Sequence, residues 1–110
     1  KEFKNDKRIF FPKENKNKIR DFYLFPIGVD KKYRNDLIEY LLKKKIFVTV
    51  NFKSVTELKY YKKKYNNKNC PQSVKWGEEE ISLPFHIKIT YKQVSLICSE
   101  IKKFFGETNL

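Results

Sequence analysis

The stretch Ser82-Leu83-Pro84-Phe85-His86, followed by Thr90 and by a run ending in Phe104-Phe105-Gly106, decides how this chain folds at its end. Thr90 and Gln93 have the spacing of a capping box, in which each side chain satisfies a backbone N–H at the open start of a helix. A glycine just after the last apolar residue is typical of a helix C-terminus. The pattern predicts a helix over Tyr91–Phe105 that docks by one apolar face. That face consists of Val94, Ile97, Cys98, Ile101, Phe104 and Phe105.

The middle of the chain reads as a helix between two strands. Phe22–Val29 alternates like a strand, and Pro26 within it indicates an edge strand or a bulge because proline donates no hydrogen bond. Asp30 is a candidate N-cap for a helix over Tyr33–Lys44, whose last lysines complement the helix dipole. Ile46–Phe52 alternates again and predicts a second strand. The fold class is therefore α+β, a small and mainly antiparallel sheet completed by a short terminal strand, with helices packed on one face.

The apolar positions of these elements define a predicted core. It contains Leu24, Ile27, Leu37, Ile38, Leu41, Val48, Val50, Val94, Ile97, Cys98 and Ile101.

The remaining segments give weaker signals. Ile9-Phe10-Phe11 predicts a short strand or an extended lead-in, stopped by Pro12 and followed by a polar loop. Pro71 suits the entry to a short helix over Ser73–Glu80, on which Trp76 covers the edge of the core. We interpret residues 1–20 as a lead-in strand and loop, and residues 21–110 as one small domain.

The chain has 110 residues and a formal net charge of +12 at pH 7, which invites a nucleic-acid interpretation. However, 22 of its 25 basic residues are lysines, and arginine is the better ligand for phosphate and guanine. Lysine, asparagine, isoleucine, phenylalanine and tyrosine share A/T-rich codons, so we favour genome composition as the origin of the charge. No apolar run in these residues is long enough to span a membrane, and we expect neither a membrane span nor a secretory signal.

Tyrosines and lysines alternate in one segment. Tyr60, Tyr61 and Tyr65 surround Lys62–Lys64, and such a pattern could stack on and neutralise a single strand of nucleic acid. The alternative, which we favour, is a surface helix or loop whose tyrosines pack inward and whose lysines remain solvated.

No catalytic or metal-binding constellation is visible. The single histidine, His86, has no histidine partner, and Cys70 and Cys98 lack zinc spacing. Glu78, Glu79 and Glu80 point in different directions on a helix and are interpreted as a solvated face rather than an acid–base pair. We expect no metal and no catalytic residue in this chain. Cys98, on the apolar face of the last helix, is expected to be a reduced and buried thiol.

Taken in order, the motifs resemble a known family. Arg34-Asn35-Asp36-Leu37-Ile38-Glu39-Tyr40-Leu41 is followed by Ile46–Phe52, by the pair Tyr60-Tyr61, by Cys70-Pro71-Gln72-Ser73 and by the Ser-Leu-Pro-x-His turn at 82–86. This succession resembles, over about residues 21–106, the C-terminal small domain of the DegT-type (DegT/DnrJ/StrS) sugar aminotransferases. Those enzymes use pyridoxal phosphate and belong to the fold-type I transferases.

The resemblance implies a cytoplasmic parent enzyme that moves an amino group from glutamate to a keto sugar on a nucleotide carrier, for polysaccharide biosynthesis or for another glycan or an antibiotic. It implies three partners: an N-terminal large domain that holds the pyridoxal phosphate, a second subunit of a homodimer, and the nucleotide sugar. The Schiff-base lysine of the family belongs to the large domain, so we expect this chain to bind no cofactor alone. Lys1 at the start and the lack of methionine also lead us to expect a fragment.

The resemblance also carries over a few substrate-proximal positions. Asn51 stands where the family often has a histidine at a strand end, and Phe52 replaces the adjacent aromatic residue. Thr56 stands where a second histidine is common. His86 matches the histidine of the Ser-Leu-Pro-x-His turn, with a structural role as the open alternative. Because several positions depart from the pattern, the identity of the sugar and the activity of the parent stay open. The competing hypothesis is a freestanding basic α/β module that binds RNA or single-stranded DNA.

Overall fold

A computed structural model describes residues 2–64 and 70–106. The strands are β1 (Ile9–Phe10), β2 (Phe25–Val29) and β3 (Glu80–Leu83). The helices are α1 (Lys31–Lys43), α2 (Lys59–Lys64), α3 (Pro71–Glu79) and α4 (Tyr91–Phe104), with a 3-10 turn at Val55–Glu57.

The three strands form an antiparallel sheet in the order β1-β2-β3. Ile27 lies opposite Ile81, and Gly28 lies opposite Glu80. Because side chains alternate along a strand, the sheet has one apolar and one polar face. The apolar face carries Ile9, Ile27, Val29 and Ile81, and the other face carries Phe10, Gly28, Glu80 and Ser82.

Helices α1 and α4 pack on the apolar face of the sheet. Leu37 and Leu41 of α1 and Ile97 and Ile101 of α4 are buried in one cluster with the apolar residues of the strands. The predicted α+β fold class, an antiparallel sheet with the first and last long helices packed on one face, is therefore confirmed for α1 and α4.

The ends of the helices follow the sequence signals. Thr90 Oγ1 accepts a hydrogen bond from Gln93 N at 3.2 Å and Gln93 Oε1 accepts one from Thr90 N at 2.9 Å, so the capping box is present. Asp30 caps α1 through Lys32 N at 3.1 Å, and Gly106 after α4 has a φ of 80°. Local hydrogen bonding is thus sufficient to define these boundaries.

The prediction of a second strand over Ile46–Phe52 is wrong. Only Thr49 in this segment pairs with the sheet, opposite Ser82. Lys45 has a φ of 60°, and the Ile46 amide donates to Leu41 O at 2.9 Å, so the start of the segment closes α1 instead of joining a ladder. The third strand of the sheet is β3, in a region where we expected the end of a helix and a turn.

The predicted core is correct in its centre and wrong at its margins. Five predicted residues are buried: Ile27, Leu37, Leu41, Ile97 and Ile101. Ile38, Val48 and Cys98 are partly buried against them. Val94 is 41% exposed because it lies in the first turn of α4, ahead of the core, and Leu24 and Val50 lie outside the cluster. The prediction missed Phe3, Ile9, Val29, Ile46 and Ile81.

A polar contact joins the two packed helices. Tyr40 of α1 donates its hydroxyl to Glu100 of α4 at 2.9 Å, and Lys103 Nζ contacts the other oxygen of Glu100 at 2.9 Å. The Lys103 and Tyr40 hydrogen bonds hold the pKa of Glu100 below its usual value. Burial and the same carboxylate raise the pKa of Tyr40. The carboxylate therefore stabilises the fold in its charged form.

We predict that Glu100→Gln lowers the free energy of unfolding by about 1–2 kcal/mol at pH 7, because it removes a charge-assisted contact. A lowered folded pKa gives stability that is present above the unfolded pKa, about 4.3, and is lost as the pH falls through the folded value. Urea unfolding at pH 7 and pH 3 measures both effects. Glu39→Gln, at an exposed site on α1, is the matched control. An equal loss of stability in the two variants would contradict the prediction.

The polar face of the sheet carries an aromatic contact over a glycine. The Phe10 ring lies over Gly28, and its centroid is 6.5 Å from that of Trp76 on α3. A Cβ built on Gly28 would overlap the Phe10 ring. The absence of a side chain at Gly28 is therefore what lets the ring reach Trp76.

We predict that Gly28→Ala displaces the Phe10 ring and shifts the fluorescence of Trp76, which is the only tryptophan of the chain. The expected cost is about 1 kcal/mol or more, because crowding of a packed site forces side chains to move. Phe10→Ala should give a similar spectrum, and the double variant should add little to either. Additive spectral shifts would show that Gly28 and Phe10 act independently.

Candidate functional site

Residues 49–51 run along the free edge of β3. Thr49 and Ser82 exchange both backbone hydrogen bonds, at 3.2 and 2.8 Å. This bridge places the Thr49 and Ser82 side chains on the polar face, beside Glu80. Asn51 then lies near the start of β3.

The side chain of Asn51 joins a hydrogen-bonded network on that face. Its Nδ2 donates to Thr49 Oγ1 at 2.9 Å and to Ser82 Oγ at 3.0 Å. Ser82 Oγ donates to Glu80 Oε1 at 2.5 Å, and the Asn51 backbone amide donates to Glu80 Oε2 at 2.6 Å. Glu80 is 0% exposed, so the interpretation of this glutamate as part of a solvated face is wrong. The network presents a half-buried asparagine on a buried support.

Phe52 and Thr56 follow Asn51 in the same loop. The Phe52 side chain is 70% exposed, and its backbone lies against Gly77 of α3. Thr56 Oγ1 is 2.8 Å from Ser54 Oγ, which also accepts from Ser73 Oγ at 3.0 Å. Ser54 is buried, so this hydroxyl cluster fastens the loop to α3.

His86 lies elsewhere. The bridge between Thr49 and Ser82 is antiparallel, so Asn51 lies near the start of β3 and His86 follows its end. The imidazole is exposed, and the His86 carbonyl accepts from Ile89 N at 3.0 Å. In the described part of the chain, no hydrogen bond joins the His86 side chain to the Asn51 network. Asn51, Phe52 and Thr56 therefore share one loop, and His86 is separate from it.

The sequence did not predict three residues of the network as part of the site: Thr49, Glu80 and Ser82. The available signal was the alternation Glu80-Ile81-Ser82, in which a buried isoleucine forces both polar side chains onto the opposite face. A second feature is Arg34 on α1. It donates from Nη1 to the Glu80 carbonyl at 3.3 Å, and its Nε is buried without a hydrogen-bond partner among the described residues. Arg34 lines a cavity of about 470 Å³ beside Val50, Lys53, Ser54 and Glu57.

The tyrosine and lysine segment forms the short helix α2. Tyr60 and Tyr61 are 64% and 41% exposed, and their rings pack edge to face with centroids 5.1 Å apart. The prediction that these tyrosines pack inward is therefore wrong. Lys62–Lys64 are exposed as expected, and Lys62 Nζ is 3.5 Å from Glu57. Tyr65, the third tyrosine of the pattern, lies outside the described residues.

The cysteines are not paired with each other. Cys70 is exposed, Cys98 is half-buried, and both are free thiols. Burial raises the pKa of the Cys98 thiol, which makes it a weak nucleophile. Within residues 2–64 and 70–106, no group of three or more histidine, cysteine, aspartate or glutamate side chains is placed to hold a metal. No helix in the same residues is long and apolar enough to cross a membrane.

Comparison with known proteins relates this geometry to a family. The sequence profile of the DegT/DnrJ/EryC1/StrS aminotransferase family matches residues 1–102. The chain belongs to this family. A comparison with curated protein sequences gives no match.

Solved structures of aminotransferases share the fold of this family member. The aminotransferase TlmJ from Streptoalloteichus hindustanus has a TM-score of 0.84 at 14% identity, covering 96% of this chain and 28% of that one. A sugar aminotransferase described as Spr1654 from Streptococcus pneumoniae, in its PMP form, has a TM-score of 0.81 at 25% identity, covering 96% of this chain and 28% of that one. Helicobacter pylori PseC, an aminotransferase involved in the biosynthesis of pseudoaminic acid, has a TM-score of 0.75 at 22% identity. The match covers 96% of this chain and 29% of that one. The chain thus spans less than a third of these structures.

The donor set around Asn51 does not fit the cofactor of this family. Pyridoxal phosphate requires cations or N–H donors at its phosphate and a lysine for its aldehyde. The network supplies a buried carboxylate and two hydroxyls that already bond within it. The side-chain oxygen of Asn51, which accepts no hydrogen bond within the network, is suited to a hydroxyl or N–H group of a ligand.

We predict that Ser54→Ala lowers the free energy of unfolding by about 1 kcal/mol, because it breaks two hydrogen bonds at a buried site. Thr56→Ala should cost less alone and little more in the Ser54→Ala background. Chemical denaturation of both single variants and of the double variant measures the coupling. Simple additivity would show that the hydroxyl cluster does not hold the loop.

Proposed function

We propose that this chain is the C-terminal small domain of a nucleotide-sugar aminotransferase that uses pyridoxal phosphate. The parent enzyme moves an amino group from glutamate to a keto sugar. The observation that carries the proposal is the family match over residues 1–102, supported by the likeness of 96% of the chain to under a third of a sugar aminotransferase. Because the chain covers less than a third of its structural relatives, we propose that it is not catalytic by itself.

The proposal assigns the cofactor to polypeptide outside this chain. An N-terminal large domain holds pyridoxal phosphate, which when bound acts as the carrier of the amino group. Residues 21–110 form the small domain and residues 1–20 lead into it. The parent acts as a cytoplasmic homodimer in polysaccharide biosynthesis.

The role of this chain is to close one side of the substrate site. Asn51 is the main polar contact to the sugar, supported by its place in a fixed network at the edge of β3. Phe52 offers an exposed ring next to it, and Thr56 belongs to the same loop. His86 is a separate contact from the far end of β3. These four residues remain the proposed substrate-proximal set.

The alternative function is a basic module that binds RNA or single-stranded DNA. The exposure of Tyr60 and Tyr61 on a lysine-rich helix is the observation that favours it. It requires binding that falls steeply with salt and that is lost when both tyrosines are replaced by alanine.

We predict that the complete polypeptide, loaded with pyridoxal phosphate, converts glutamate to 2-oxoglutarate in step with amination of a nucleotide-linked keto sugar. Asn51→Ala should raise the KM for the sugar about ten-fold, the equivalent of one lost hydrogen bond. The reaction with glutamate alone should stay unchanged, because Asn51 contacts only the sugar. Rates of the two half-reactions measured separately test this expectation.

Asn17→Ala, at an exposed loop position, is the control for the loss of an asparagine side chain. A complete polypeptide that transfers no amino group to any nucleotide-linked keto sugar would contradict the proposed function. Salt-dependent retention of a single-stranded oligonucleotide by the same preparation would then favour the alternative.

A further inference from the structure

We propose that Glu80 is a positioning residue that fixes the side-chain amide of Asn51, so that Oδ1 of Asn51 faces outward as a hydrogen-bond acceptor for a sugar hydroxyl. The inference rests on the proposed function, in which Asn51 contacts the sugar. It adds the direction of the hydrogen bond and the residue that determines it.

The direction follows from the order of donors and acceptors in the network. A carboxylate only accepts hydrogen bonds, so the contact of 2.5 Å to Glu80 Oε1 takes the single hydrogen of the Ser82 hydroxyl. Ser82 Oγ must then accept from Asn51, and only Nδ2 of the Asn51 amide donates. Thr49 Oγ1 accepts the second hydrogen of Nδ2 at 2.9 Å. Both hydrogens of Nδ2 are then used within the network, and the carbonyl oxygen Oδ1 remains available to a ligand.

The Glu80 carboxylate is itself fixed in place. Its other oxygen accepts from the Asn51 backbone amide at 2.6 Å, and its side chain is fully buried. Among the described residues, no lysine or arginine forms an ion pair with Glu80. A buried carboxylate without a cation depends on its hydrogen bonds, so Glu80 holds Ser82 and Asn51 firmly in one arrangement.

An outward carbonyl oxygen determines which groups of a sugar are accepted next to it. No donor of the described residues contacts Oδ1 of Asn51, so a ligand hydroxyl or N–H group would satisfy it. A keto oxygen only accepts hydrogen bonds and would be repelled. We therefore assign Asn51 to a hydroxyl-bearing carbon of the sugar and not to the keto carbon that receives the amino group.

Replacing Glu80 by glutamine should reverse the network without changing its shape. The Asn51 backbone amide needs an acceptor, so it would hold Oε1 of the new glutamine and direct Nε2 toward Ser82. Ser82 Oγ would then accept from the glutamine and donate to Oδ1 of Asn51. The Asn51 amide would rotate and present Nδ2 outward as a donor.

The first measurement concerns the orientation alone and needs no ligand. In the complete polypeptide labelled with 15N-asparagine, Asn51→Asp identifies the side-chain signals of Asn51. Glu80→Gln and Ser82→Ala should both shift these signals, and Glu79→Gln, which makes the same chemical change at the preceding residue, should not. Unchanged Asn51 signals in Glu80→Gln would overturn the positioning role, whatever the function of the parent.

The second measurement concerns recognition. Calorimetry on the complete polypeptide compares UDP-glucose and dTDP-glucose with analogues in which single hydroxyls are replaced by fluorine, which accepts but does not donate. The wild type should bind at least one analogue about ten-fold more weakly than its parent sugar, because one donated hydrogen bond is lost. Glu80→Gln should abolish or invert that ratio, and Glu79→Gln should keep it.

The outcomes separate the two proposals. Discrimination that is the same in the wild type and in Glu80→Gln would overturn the inference while leaving the proposed function intact. A wild type that binds neither nucleotide sugar would overturn the hydroxyl contact, whereas the proposed function is decided separately by the transfer of an amino group to nucleotide-linked keto sugars. The asparagine spectra would still decide whether Glu80 orients Asn51.

Discussion

The structure depends on the antiparallel register of β2 against β3. With Ile27 opposite Ile81, both isoleucines point into the core and Glu80 points to the other face. Because side chains alternate with a period of two, a slip of one residue would bring Glu80 into the apolar cluster and expose Ile81. The same register places Ser82 beside Thr49 and so builds the Asn51 network. Packing and the candidate site are therefore consequences of one strand pairing.

The two ends of the described chain are tied to that pairing. Phe3 and Ile9 are part of the core cluster, and β1 covers the other edge of β2. The Arg8 guanidinium lies 4.4 Å from the ring centroid of Phe105, which follows α4. A cation over an aromatic face adds a modest attraction at the surface. The lead-in residues thus complete a core that α1, α4 and two strands leave open.

The sequence predicted the features that arise from local hydrogen bonding and failed where distant segments compete. Thr90, Gln93 and Asp30 cap helices through neighbours along the chain, so their roles are readable from spacing. Ile46–Phe52 and Glu80–Leu83 both alternate, and nothing local decides which of them pairs with β2. The site was predicted in part for the same reason. Asn51 was found through a resemblance, whereas the role of Glu80 depends on a strand pairing that spacing does not reveal.

Arg34 gives this arrangement a mechanical property. Its guanidinium extends from α1 to the backbone carbonyl of Glu80, the residue whose side chain holds the Asn51 network. Leu37 and Leu41, about one and two turns further along α1, are buried against the sheet. Helix α1 is thus attached to the sheet by its buried leucines and, near its start, by the hydrogen bond from Arg34 to the Glu80 carbonyl. Such a double attachment links α1 to the candidate site: a tilt of α1 would act on the backbone of Glu80, the residue whose side chain accepts the hydrogen bond of Asn51 N.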